Sequence, residues 1–172
     1  MKMCQNMTNL CDAKLTSIVQ STEDAAKAMQ KELPMASDSD FFLFLNYKYV
    51  IIADGNSAPS SRLSLQIFFN SLILLQETSW FEAYYIGLRP FVHYVPVSEN
   101  FEDLKQKIIW CQNHQTEVIH IIQNAKSFAW KHLNSDEVMK HFESALYAYT
   151  SLLDFQIPRN DLDGYLEVEF EC

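Results

Sequence analysis

The segment from Asp54 to Arg62 gathers the most chemically useful groups in the chain: Asp54-Gly55-Asn56-Ser57-Ala58-Pro59-Ser60-Ser61-Arg62. An apolar run ends just before it, and Leu63, Ile67 and Phe68 follow it at helical spacing. A small-residue loop between a buried strand and a helix is the place where α/β sheets hold ligands. Amide N–H groups at a helix start have no intrahelical acceptor and favour phosphate, and Ser60 and Ser61 add hydroxyl donors. Arg62 can grip a diphosphate through two parallel hydrogen bonds. Without a ligand its charge opposes the helix dipole by about 0.3–1 kcal/mol. Each hydrogen bond to a charged phosphate is worth about 1.5–3 kcal/mol, enough to outweigh that. The plainer reading is a serine N-cap followed by an arginine paired with a surface carboxylate. On spacing alone the plainer reading stands slightly ahead.

Other polar residues carry less. Glu82 can accept the two hydroxyls of a ribose, although a solvent-facing glutamate is the better reading of that residue alone. His93 beside Tyr94 reads as a hydrogen-bonded structural histidine rather than a base. His114, His120, His132 and His141 lie in helical stretches without the spacing of a metal site. The four cysteines, Cys4, Cys11, Cys111 and Cys172, are scattered, with no CxxC pair, so no metal is expected. Cys111 reads as a buried thiol, and Asn6-Met7-Thr8 is a glycosylation sequon. No Ser-His-Asp order, P-loop or GxGxxG motif is present, and no catalytic residue can be identified.

The elements that must position these groups follow from periodicity and punctuation. Residues 8–33 read as a helix ended by Pro34, with a loop at 36–40 and an apolar patch at Phe41–Leu45. Tyr47–Asp54 is a β-branched and aromatic strand, followed by the loop and a helix of about two turns from Arg62. Ser71–Gln76 is a second buried strand, Trp80–Tyr85 a short helix closing at Gly87, and His93–Val97 a third strand. Two strand–helix–strand units in succession predict an α/β fold with a Rossmann-like parallel sheet and right-handed crossovers. The rest is helical. Asn100 caps a helix bearing Phe101, Leu104, Ile108 and Cys111, and a second runs from His114 to Leu133. Ser135 caps a third, with Val138, Phe142, Ala145, Leu146, Tyr149 and Leu153 inward and no large apolar stripe left exposed.

Bulk properties set the limits. The 172 residues fit one domain or one lobe of a larger enzyme. A hydrophobic content of 48% with 20% charged residues excludes a disordered tail, and 3 glycines with 5 prolines argue against an all-β sandwich. A net charge of −9 argues against nucleic acid or an anionic membrane as partner, and makes a basic residue in a loop more informative than usual. No window holds the roughly 18 uninterrupted apolar residues of a membrane span, and the first twelve residues lack the apolar core of a secretory signal.

At these same residues the chain resembles family 90 glycosyltransferases, the capsule-associated, putative lipopolysaccharide-modifying and KDEL-motif protein O-glucosyltransferase-like enzymes. The resembling block runs from Tyr47-Lys48-Tyr49-Val50-Ile51-Ile52-Ala53-Asp54-Gly55 through Arg62-Leu63 and Asn70-Ser71-Leu72-Ile73-Leu74-Leu75-Gln76. It continues with Trp80-Phe81-Glu82-Ala83-Tyr84-Tyr85, Leu88-Arg89-Pro90-Phe91, His93-Tyr94-Val95-Pro96-Val97 and the helices to about Leu153. The ordered run ending in Pro-x-x-His-Tyr-x-Pro-Val is its most specific part. The resemblance implies the C-terminal lobe of a two-lobed GT-B enzyme. It makes Gly55, Ser60, Ser61 and Arg62 contacts of the donor's diphosphate, reversing the preference reached on spacing, and makes Glu82 a ribose or sugar contact. The loop is one residue longer than in the O-glucosyltransferase members, with Pro59 inserted, which leaves the register of the serine hydroxyls open.

The expected layout is a helical lead-in over 1–46 resembling an inter-lobe connection, a nucleotide-sugar-binding lobe over 47–153 and an acidic tail over 154–172. The resemblance implies transfer of a sugar from a UDP-sugar donor to a hydroxyl of a protein or glycan, without a further cofactor. It also implies a secretory-pathway location, although the chain carries neither signal nor retention motif. Family members hold their catalytic aspartate in an N-terminal lobe, and only 46 residues precede the block. The chain is therefore expected to be a fragment, a remnant or one lobe of a split protein, without turnover by itself. The alternatives are a non-catalytic nucleotide-sugar-binding remnant and an interaction module.

Overall fold

The computed structural model describes residues 7, 9–19, 21–36, 41–55, 57–59 and 61–154. Ser60, Asn6 and Thr8 of the sequon, and the acidic tail from residue 155 lie outside the described residues. The chain falls into two compact units, Met1–Asn134 and Ser135–Cys172.

Three strands form the sheet of the first unit: β1 (Tyr49–Ile52), β2 (Leu72–Gln76) and β3 (Val95–Val97). All pairs are parallel, in the order β1-β2-β3, with Tyr49 opposite Leu72 and Leu74 opposite Val95. The expected α/β architecture with a parallel Rossmann-like sheet is therefore present. Central β2 is apolar at four consecutive positions because both of its faces are covered. Leu72 and Leu74 face a cluster with Val95, Val97, Leu104, Ile108, Cys111, Val118 and Ile121. Ile73 and Leu75 face the opposite cluster with Val50, Ile52, Leu63, Ile67, Leu88, Ala125 and Ala129. Fully burying one such leucine contributes about 1.5–3 kcal/mol, so these two layers hold the sheet together.

The described residues form four α-helices in the first unit, α1 (Glu23–Glu32), α2 (Ser61–Gln66), α3 (Leu104–Asn113) and α4 (Gln115–His132), and one in the second, α5 (Ser135–Thr150). Two 3₁₀ turns, Phe41–Asn46 and Ala83–Gly87, fill connections. α2 covers one face of the sheet through Leu63, α3 the other through Leu104, Ile108 and Cys111, and α4 serves both clusters. As expected, Cys111 is a free, buried thiol.

Several expectations at the element level need correction. The helix read over 8–33 exists only as α1. Thr22 caps it, its hydroxyl accepting from the Ala25 N–H at 3.4 Å, while Leu15 upstream forms a bridge with Met35. Hydroxyl residues such as Thr16, Ser17 and Ser21 offer the backbone other partners, which favours a cap over a helix interior. The turn at Ala83–Gly87 begins after Glu82, so Trp80 to Glu82 are not helical. Asn100 does not cap α3. Its side chain accepts from the Glu102 N–H, and Asp103 stands at the N-cap with its carboxylate held by the Ser98 N–H and hydroxyl, each at 2.8 Å. The inward face expected of α5 is not buried: Val138, Phe142, Leu146 and Tyr149 are all exposed, leaving an apolar stripe in place of the expected mixed surface. Amphipathic spacing defines a face, but only a surface packed against it buries it.

Candidate functional site

Parallel strands bring their carboxyl ends to one edge, and there the β1–α2 loop, the end of β2 and the segment after β3 meet. The Arg62 guanidinium folds back over this edge, Nη2 donating to the carbonyl of Ala53 at 2.8 Å. Among the described residues no carboxylate lies within ion-pair distance of it, so none of them forms the surface pairing that the plainer reading expects. Arg62 stands in the first turn of α2, exposed, with its own N–H donating to the Pro59 carbonyl at 3.2 Å.

Buried Ala58 and Pro59 anchor the loop beneath that turn. The Gly55 N–H is engaged inside the loop, donating to the Ser57 carbonyl at 3.0 Å, while a methyl group placed on Gly55 would meet nothing within 4 Å. Gly55 thus faces open space, with its amide already used. Ser61 is the exposed first residue of α2, and its carbonyl accepts from the Ser64 hydroxyl at 3.2 Å.

Gln76 ties the edge together and was not singled out in the sequence. Its Oε1 accepts from the Asp54 N–H at 2.8 Å, and its Nε2 donates to the Glu99 carbonyl at 2.6 Å. One side chain at the end of β2 thereby fixes the loop after β1 against the segment after β3. The available signal was a lone amide closing the otherwise apolar run Leu72–Leu75.

A second overlooked feature is the pair Tyr84 and Tyr85, with ring centroids 5.1 Å apart. Burial pushes the Tyr85 phenol up to about 12, and the charges of Glu82 and Asp54 add to the effect. Burial also pushes Tyr84 upward, helped by Tyr85 and Glu82. Half-buried Glu82 and Asp54 thus both act on the Tyr85 phenol through their charge. Among the described residues, the two hydroxyls and Gln66 Oε1 are buried without a hydrogen bond of good geometry; the two phenol groups lie close to each other, and Ser64 close to Tyr84, without the geometry of a bond.

His93 lies elsewhere, just before β3. It is buried, and its Nδ1 accepts from the Arg89 N–H at 3.1 Å, the structural role expected of it. Burial, then Arg89 and His132, hold its pKa below the ordinary value. Among the described residues no three His, Cys, Asp or Glu side chains gather as a metal site would require, and no helix is long and apolar enough to cross a membrane.

A parallel sheet covered by helices, with a short strand-to-helix loop at its carboxyl edge, defines the Rossmann-like α/β class. The profile of glycosyl transferase family 90 matches residues 1–172, and the chain belongs to that family. It is 30% identical over 151 residues to protein O-glucosyltransferase 2 of Danio rerio, covering 88% of this chain and 29% of that protein. It is 31% identical to protein O-glucosyltransferase 3 of Homo sapiens over 70% of this chain and 24% of the relative. The corresponding values for protein O-glucosyltransferase 1 of Bos taurus are 26%, 90% and 39%. The chain thus spans well under half the length of these curated relatives.

Proposed function

We propose that this chain is the donor-binding lobe of a family 90 glycosyltransferase, holding the diphosphate of a UDP-sugar at the carboxyl edge of its sheet. The observation that carries the reading is the Arg62 guanidinium, seated over the end of β1 at 2.8 Å from the Ala53 carbonyl and free of any carboxylate among the described residues. An arginine so placed has donors left for two phosphate oxygens. α2 is only six residues long, so the guanidinium, with the Ser60 and Ser61 hydroxyls, supplies the attraction rather than the helix end. Gly55 contributes an open approach rather than its amide. Glu82 accepts from ribose or sugar hydroxyls.

In the complete enzyme, a sugar passes from the diphosphate to a hydroxyl of a protein or glycan, and negative charge grows on the leaving diphosphate. Arg62 stabilises that charge. The relatives' names support glucose as a sugar and protein as an acceptor. A location in the secretory pathway belongs to the same reading, as the family resemblance implies.

Titration calorimetry with UDP tests the reading. Arg62→Ala is expected to weaken binding by about tenfold to a hundredfold, the loss of one charged hydrogen bond or two weaker ones. UDP affinity that survives the substitution unchanged refutes the phosphate assignment.

A further inference from the structure

A second groove, of about 400 Å³, lies between the segment Gly87–His93 and the C-terminal half of α4. Its wall includes Arg89, His93, Lys131 and His132, together with Asn124, Ser127 and Phe128, and no carboxylate. In a chain of net charge −9 that is an unusual local balance. Neither Arg89 nor Lys131 has a carboxylate within ion-pair distance among the described residues.

The imidazoles are held in place. His93 Nδ1 accepts the Arg89 N–H, which puts the ring proton on Nε2 and leaves that nitrogen a donor. The Phe128 ring lies between the two histidines, with centroids 5.1 Å from His93 and 4.9 Å from His132. Gly87 allows this packing, since a Cβ there would stand 2.6 Å from Phe128 Cε2. The wall is thus built by two chain segments locked by a ring.

We infer that this groove binds a tetrahedral oxyanion, a phosphate or sulfate group, through Arg89, Lys131 and the two imidazoles. The site is distinct from the donor edge: His93 precedes β3, whereas Arg62 lies beyond the end of β1, and the strands are parallel. Lys131 and His132 also complement the negative end of the α4 dipole. That role accounts for neither Arg89 nor His93, which come from another segment. Burial first, and then the charge of neighbouring Arg89, disfavours a proton on His93, and an anion in the groove would offset the second of these. The groove is roomier than a bare oxyanion requires, so a phosphate or sulfate carried on a sugar fits it as well as the free ion.

Histidine ring resonances of the full chain, followed during titration with inorganic phosphate and separately with a hexose 6-phosphate, test the assignment. Of the five histidines, His93 and His132 should shift with saturation while His114, His120 and His141 do not. Tighter binding of the ester assigns the site to a phosphorylated glycan, and equal binding assigns it to the free anion. Arg89→Ala with Lys131→Ala should weaken binding by about tenfold or more. Both positions are exposed, so folding survives, as circular dichroism would verify. Arg62→Ala should leave the binding intact. Shifts that are absent, that spread equally over all five rings, or that persist in the double variant overturn the assignment.

Discussion

Arg62 and Cys111 show how one side chain's surroundings decide its chemistry. Arg62 is exposed yet oriented, because the Ala53 carbonyl offers it an acceptor where the strand ends. Cys111 is the opposite case. It is fully buried in α3, and burial pushes its thiol up to about 11. The reactive thiolate is therefore scarce at neutral pH and shielded as well. Iodoacetamide at pH 8 should leave Cys111 unmodified in the native chain and alkylate it in denaturant, as peptide mass spectrometry would read. Native alkylation at a normal thiol rate would contradict the packing of α3 against the sheet. The buried thiol was legible from its apolar helical neighbours. The partner of Arg62 was not, because no local pattern states which carbonyl a long side chain will reach.

At the scale of elements, the turn Ala83–Gly87 ends on a close contact with α4. Gly87 lies against the edge of the Phe128 ring, 2.6 Å from where a Cβ would sit, so a side chain there must displace the ring. Gly87→Ala is expected to cost about 1–3 kcal/mol in denaturant unfolding. Adding Phe128→Leu should recover most of that loss. If the double variant is no more stable than Gly87→Ala, the clash is not the cause. The sequence marked Gly87 as a helix stop, which is half of its role; the ring it abuts lies 41 positions further along the chain. α5 gives the converse lesson. Its spacing of Val138, Phe142, Leu146 and Tyr149 correctly called for a helix and did not specify that the face would stand exposed.

Over the whole molecule the buried titratable groups limit stability from both sides of neutrality. The folded chain holds His93 below its ordinary value of 6.5, so on acidification the unfolded chain takes up that proton first. Stability should therefore fall as pH drops through and below about 6.5. On the alkaline side Tyr84, Tyr85 and Tyr94 resist ionisation through burial, whereas in the unfolded chain they ionise near 10. Stability should fall again above that pH. Thermal midpoints measured from pH 5 to 11 should trace both limbs. Tyr84→Phe should flatten the alkaline limb without lowering the neutral plateau, because among the described residues its buried hydroxyl makes no well-formed hydrogen bond to lose. A plateau lower by more than about 1 kcal/mol would show that this hydroxyl is hydrogen-bonded after all.

The sequence by itself determined the three apolar strands, the small-residue loop between β1 and α2, the helical tail and the family. These are written in short-range periodicity and in the order of motifs, which neighbouring residues specify together. Tertiary structure alone decided that Gln76 laces two loops, that Glu82 and Asp54 both act on the buried Tyr85 phenol, and that residues 87–93 meet α4 in a basic groove. Parallel pairing places residues distant in sequence at one edge, and their closeness depends on how the crossovers pack. Periodicity fixes which way a residue faces along its own element; it holds no record of what will stand opposite.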